Sequence, residues 1–327
     1  MFAVYAAEPR PVDPLSALRL GDRPQAPAPP GWTAVTVRAA TLNMHDISTL
    51  RGIGMRAEQY PMVLGCDGAG VLGDGTEVVV HGLVNEPGWV GPETLDPGRT
   101  VLSERYPGSF AEQVLVPARN VVTKPPSLAF AEAACLPTAW LTAYRALFVR
   151  AGLRPGQTVL VQGRERVGSI ATAMMQLAAA AGARVWALAP QGQEDSVRRL
   201  GAHEVFTDDA ALPREVDVVV DGGVDEASWS RSLTLLRPGG VVVCAGYRSG
   251  ATDVRAVQHA LHRLVFRELQ LVGCAMGTTQ DLGDLLAFLD RTGLRPLIDR
   301  ELPLTRAPEG FAAMLGGEVT GKIVFTA

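Results

Sequence analysis

Lysine is almost missing from this chain. Only Lys124 and Lys322 stand among the 30 basic residues, and arginine supplies the rest. That bias fits high-G+C coding and excludes nothing functional. Cysteine is also scarce. The four at 66, 135, 244 and 274 are scattered, with no C-x-x-C pair. This pattern excludes a ribbon-type structural zinc site and a disulfide scaffold, and it predicts free thiols in a reducing cytoplasm. No apolar run approaches the ~20 residues of a membrane span. The start, Met1-Phe2-Ala3-Val4-Tyr5, has no basic segment leading a long apolar core, so no signal peptide is expected. A net charge of −4 gives no basic surface for nucleic acid or an anionic membrane. The expected partner is a small-molecule substrate.

What is present is a change of pattern along the chain. Length allows one or two domains. Residues 1–120 are β-rich and irregular, with candidate strands at Ala34–Ala39, Gly68–Leu72, Glu77–Gly82 and Ser109–Val116 between Gly/Pro turns. Residues 84–108 read as a long loop. Phe130 to Val149 is an Ala/Leu-rich helical region, broken at Pro137. Strand and helix signals then alternate. Strands are expected at Val159–Gln162, Arg184–Ala189, Glu204–Thr207, Val216–Asp221, Val241–Ala245 and Leu269–Gly273. Helices are expected at 168–181, 193–200, 226–236 and 255–265. Such alternation predicts an α/β fold with a parallel sheet covered on both faces. Thr278-Thr279-Gln280-Asp281 is placed to cap a further helix, and Gly321–Phe325 reads as a final strand.

The most informative stretch is Gly163-Arg164-Glu165-Arg166-Val167-Gly168. It follows an apolar strand and opens a helix, the context in which G-x-G-x-x-G binds a dinucleotide. Gly163 suits the tight turn and Gly168 the packing of helix on strand. The middle glycine, where pyrophosphate approaches, is replaced by Glu165. Arg164 and Arg166 flank that carboxylate and are placed to offset it. A second cue is also weak. The strand ending near Ala189 lacks the acid that holds the ribose of NAD, and Gln191 stands where NADP binders carry Ser, Arg or Lys.

Several segments together resemble the medium-chain dehydrogenase/reductase superfamily, nearest its zinc-free quinone oxidoreductase and enoyl reductase-like branch. They are Arg38–Asp46, Gly65–Val71, Gly108–Glu112, Leu136–Tyr144, Arg237–Gly240 and Gly321–Val324, in matching order. The resemblance implies a GroES-like β-barrel domain (1–120 with 276–327) interrupted by a Rossmann-type domain (121–275). It also implies an active site between the two, NADPH as cofactor and a homodimer joined by sheet-edge strands near Glu268–Ala275. Zinc-dependent relatives hold their metal at positions that correspond here to Asn43, Cys66 with Asp67, and Thr138. Asn and Thr are poor zinc ligands, so no metal is expected. The other histidines, 81, 203, 259 and 262, show no ligand spacing and read as surface residues.

The resemblance places Asn43, His45, Asp46 and Thr138 in the catalytic region. Asn43 is a hydrogen-bond donor to a carbonyl, and His45 and Asp46 are acid/base or orienting groups. For Asp46 a structural bond pinning its loop is the competing role, and for Cys66 that of a small buried hydrophobe. Ser48, Cys66, Trp140 and Tyr144 are candidates for the substrate pocket, the two aromatics either as a wall or as core. Gly163, Arg164, Arg166, Val167, Gly168, Gln191, Gly246, Gly273 and Lys322 are candidates for the cofactor. Three functions stay open. One is NADPH-dependent reduction of an enone, quinone or enoyl thioester, possible without a Lewis acid. The second is a redox-neutral cyclase, isomerase or lyase on the same scaffold. The third is a non-catalytic binding protein.

Overall fold

The computed structural model describes residues 1–24, 27–163, 167–208, 211–212, 214–222, 226–246 and 254–327. The fold is α/β and forms two compact units, Met1–Leu141 with Gly277–Ala327, and Thr142–Met276. The change of unit falls after Leu141, where the sequence pattern placed it at 120. The reason is local: Val121–Thr123 pairs with Glu77–Val80, and helix Phe130–Ala134 packs on the strands Trp32–Thr41 and Asp67–Val71.

The first unit is built on a mixed sheet. Its strands run in the order Val121–Thr123, Glu77–Val80, Asp67–Val71, Trp32–Thr41, Lys322–Thr326, Ile298–Pro303, and Gln113–Pro117 also pairs with Trp32–Thr41. A strand from residues 322–326 thus lies antiparallel to one from residues 32–41, Val324 opposite Thr41. The long strand is rich in β-branched residues, which suit a pleated surface, and it buries Val35 and Val37. Phe110, Phe311 and Phe325 meet in the core, Phe110 edge-on to the other two at 6.2 and 5.1 Å. Residues 84–108 are more structured than their turn-rich sequence suggests. Leu83–Val84 pairs with Thr100–Val101, and the Asp96 carboxylate accepts from the N–H groups of Glu86 and Gly98. Such Asx bonding shapes a loop without any periodic pattern. Thr278 caps helix Thr279–Thr292, its hydroxyl accepting from Asp281 N–H while Asp281 accepts from Thr278 N–H, a full capping box.

The second unit is a six-stranded, all-parallel sheet. Its strands are Thr158–Gln162, Arg184–Leu188, Glu204–Phe206, Val216–Asp221, Leu236–Cys244 and Gln270–Gly273. In space they lie third, second, first, fourth, fifth, sixth. This is the Rossmann order, which reverses direction beside the first strand. Every expected strand is present, and the central four are buried by apolar, largely Val/Leu runs, while Glu204–Phe206 and Gln270–Gly273 at the two edges are more exposed. Helices Ser169–Ala180, Glu194–Arg199, Glu226–Leu235 and Val254–Phe266 connect them. Among the described residues no helix is long and apolar enough to cross a membrane.

Candidate active site

The strand Trp32–Thr41 leads through Leu42 to Asn43, where helix Met44–Arg51 begins. Asn43 occupies the N-cap position, yet the cap is supplied by Asp46. One Asp46 oxygen accepts from Asn43 N–H and the other from Gly65 N–H, both at 2.8 Å. The carboxyl therefore pins two loops together. Gly65 has φ 96°, and a Cβ there would stand 2.5 Å from both Phe110 Cδ1 and Ser109 Oγ, so only glycine brings this N–H to Asp46. Burial pushes the Asp46 carboxyl up from 3.8 to about 6, against the opposing pull of His45 and the two N–H groups. Asp46 is thus a loop pin.

Beside it lies a buried polar cluster. Lys322 Nζ donates to Asn43 Oδ1 (2.7 Å), Asp67 Oδ2 (3.1 Å) and Leu42 O (3.2 Å). Asp67 Oδ2 also accepts from Thr41 Oγ1 (2.7 Å) and Asn43 Nδ2 (2.8 Å), and Thr138 Oγ1 donates to Asp67 Oδ1. The ammonium has three protons and three acceptors, so none is left for a phosphate. Lys322, expected on the cofactor, belongs instead to this cluster in the first unit. Asn43 is likewise saturated: its second amide contact is Thr41 O at 3.2 Å. Cys66 Sγ sits 3.5 Å from Asn43 Nδ2 and 3.6 Å from Thr138 Oγ1. Burial and the Asp67 charge push its thiol well above the usual range, which keeps it protonated and unreactive.

His45 is different. Its side chain is 23% exposed, and Nδ1 faces Glu104 Oε1 at 3.9 Å. Its Nε2 is buried without a hydrogen-bond partner. Glu104 drew no attention in the sequence because nothing local marks a residue 59 positions away as facing His45. Ser48 Oγ bonds back to Met44 O at 3.1 Å, Trp140 is in the core, and the Tyr144 ring meets Phe148 edge-on at 5.1 Å. His81 is fully buried, not on the surface. Its Nε2 bonds Gly277 O at 2.9 Å, and burial lowers its pKa so that the ring is neutral.

In the second unit, Gly163, Gly246 and Gly273 follow or end the first, fifth and sixth strands at the carboxyl edge of the sheet, the edge where dinucleotides bind in this topology. Gly163 N–H donates to Leu188 O at 2.8 Å. Gly168 caps helix Ser169–Ala180 with no side-chain partner. Among the described residues a Cβ on Gly168 would meet nothing within 4 Å, so packing against them does not require glycine there. Val167 is buried and Gln191 exposed. Arg164, Glu165 and Arg166 lie outside the described residues. No local pattern marks Gln162 as locked by helix Glu226–Leu235. Its amide donates to Ser232 Oγ at 2.8 Å, and Arg231 clasps its Oε1 through Nε (3.0 Å) and Nη2 (2.6 Å).

Residues 29–126 match the model of the alcohol dehydrogenase GroES-like domain, and residues 200–325 that of the zinc-binding dehydrogenase. The chain belongs to the medium-chain dehydrogenase/reductase superfamily. It is 33% identical, over 94% of its length, to the spectinabilin polyketide synthase system protein NorB of Streptomyces orinoci, and it spans only 14% of that protein. To the acryloyl-coenzyme A reductase of Metallosphaera sedula it is 27% identical, covering 90% of this chain and 92% of that one. A crystal structure of an NAD-dependent alcohol dehydrogenase superposes over 100% of both chains with TM-score 0.88 and 27% identity.

As a member of this superfamily the chain keeps the positions that hold zinc in metal-dependent relatives, but not the chemistry. Asn43, Cys66, Asp67 and Thr138 do converge, yet the Asp67 oxygens are occupied by donors that include an ammonium, and Asn and Thr are poor zinc ligands. Among the described residues no group of three His, Cys, Asp or Glu side chains is placed to hold a metal. This donor set does not fit zinc. The nicotinamide side fits better: the strand Thr158–Gln162, Gly163 and the start of a twelve-residue helix, with no side-chain cap among the described residues, stand at the carboxyl edge of a Rossmann sheet.

Proposed function

We propose that the protein is a zinc-independent, NADPH-dependent reductase of an activated C=C or C=O, in an enone, quinone or enoyl thioester, serving secondary metabolism. The observation that carries this reading is the saturated Lys322–Asp67–Asn43 cluster. A fixed internal ammonium stands among the positions of a metal site, so charge on a substrate oxygen must be met by hydrogen-bond donors. That suits conjugated acceptors and disfavours simple alcohol oxidation, where a Lewis acid lowers the alcohol pKa. NADPH, when bound, supplies the hydride. The helix starting at Ser169 offers its free N–H groups and dipole to the pyrophosphate. Gln162, held by Arg231 and Ser232, fixes the strand end that precedes the glycine turn. The names of two relatives, a polyketide synthase system protein and an acryloyl-coenzyme A reductase, agree with an enoyl thioester substrate. We place the protein in solution as a homodimer, joined at the sheet edge formed by Gln270–Gly273.

The test is NADPH consumption by the purified, metal-analysed protein with enoyl thioesters, enones and quinones. Turnover at substoichiometric zinc is the expected result. Activity abolished by a chelator and restored by zinc would refute zinc independence. Calorimetry showing no NADPH binding, with no turnover of any acceptor, would refute the reductase reading.

A further inference from the structure

His45 Nδ1 and Glu104 Oε1 stand 3.9 Å apart, while Nε2 on the far side of the ring is buried with no partner. Glu104 is itself held rigidly. Its other oxygen accepts from Thr100 Oγ1 and Val101 N–H, both at 2.9 Å, and its carbonyl accepts from Gln59 Nε2 at 2.8 Å. The nearer acid in sequence, Asp46, spends both oxygens on backbone N–H groups. The carboxylate that faces the imidazole is therefore the distant one. A carboxylate on one ring nitrogen fixes the tautomer and leaves the other nitrogen for proton transfer.

We propose that Glu104 is the positioning residue of His45, and that His45 Nε2 is the proton donor to the enolate of a reduced enone or enoyl thioester. The proposal rests on the reductase reading for its substrate, but not for the pairing. A bound NADPH would supply hydride to the β-carbon and keep the oxidised ring, and the C=C π pair would move to form an enolate. The Nε2–H bond of doubly protonated His45 breaks as a C–H bond forms at the α-carbon. His45 is left neutral with its proton on Nδ1, facing Glu104, and water that enters as product leaves restores the proton on Nε2.

Glu104→Gln is the informative variant. Its amide oxygen can still accept from Thr100 and Val101, while its NH2 group faces His45 Nδ1 and favours the opposite tautomer. The first readout is 15N NMR of histidine-labelled, cofactor-free protein under alkaline conditions, with His45 assigned by its loss in His45→Gln. We expect the Nδ1–H form in the native protein and the Nε2–H form in Glu104→Gln. The second is steady-state reduction of an enoyl thioester, where kcat falls at least about tenfold while KM stays within about twofold. A native Nε2–H tautomer overturns the pairing, even if the variant fails to fold. Unchanged kcat in Glu104→Gln overturns the proton-donor role. A reversed tautomer in a protein that reduces no acceptor upholds the pairing and refutes the reductase reading.

Discussion

A buried ammonium is tolerated only while its acceptors stay in place. Lys322→Met removes the cation from an Asp67 that is 0% exposed and leaves a buried carboxylate without its counter-charge. Loss of one partner of a buried pair costs about 3–5 kcal/mol, so urea denaturation of Lys322→Met is expected to show a loss of that size. A midpoint within error of the native one would show that the cluster is solvated. Asp46 makes a second prediction at this scale. Its carboxyl is raised in the folded state to about 6, so folding takes up a proton here between about pH 4 and 6. The contribution to stability is complete below the unfolded pKa and is lost as pH rises through about 6, by at most about 3 kcal/mol. Asp46→Asn lacks this titration. The stability of the native protein relative to Asp46→Asn is expected to fall from pH 4 to pH 6, read by denaturation at both. A constant difference would mean that Asp46 titrates normally. Comparison with the variant cancels His81, whose lowered pKa gives the opposite slope.

At the scale of elements, the glycine turn decides the cofactor. A carboxylate about 5 Å from one phosphate charge costs about 3 kcal/mol at an effective dielectric of about 20. Glu165→Gly is therefore expected to tighten NADPH binding by roughly a hundredfold, measured by calorimetry. Unchanged affinity would locate the weakness elsewhere in the site. The strands of the Rossmann sheet were legible because each is a short apolar run bounded by Gly, Pro or polar residues, and the helices between them are periodic. The short strands Phe2–Ala6, Leu18–Asp22 and Ile298–Pro303 were not, since no tight turn joins them to the strands they pair with. The site divided in the same way. Asn43, Asp46, Cys66 and Thr138 belong to recognisable segments, and all four converge. Glu104, Gln162 and Arg231 have roles set by side chains 59 to 70 residues away, which no local pattern encodes. Lys322 is legible as a functional lysine but not by its partner, because a lone lysine in a strand looks like a ligand for phosphate until its three acceptors are known.

For the whole molecule, one surface is unusually apolar. Phe266 is 74% exposed, Val265 67%, Leu261 51% and Leu271 45%, all on the last helix of the second unit or on the edge strand Gln270–Gly273. An uncovered strand edge beside such a patch is an association surface. Leu271→Asp is expected to convert a native dimer to monomer in light scattering behind size exclusion, with no change in far-UV circular dichroism. A native protein that already runs as monomer refutes the edge-paired dimer. The closing strand Lys322–Thr326 has a consequence for synthesis. Asp67 leaves the ribosome 255 residues ahead of Lys322, and Thr41 similarly ahead of Val324. The Thr142–Met276 unit has all of its strands before either pairing forms. The nascent chain therefore completes its inserted unit first, while the surrounding unit waits, open along one strand and short of one positive charge. That interval of exposed sheet edge is when the protein most needs a chaperone.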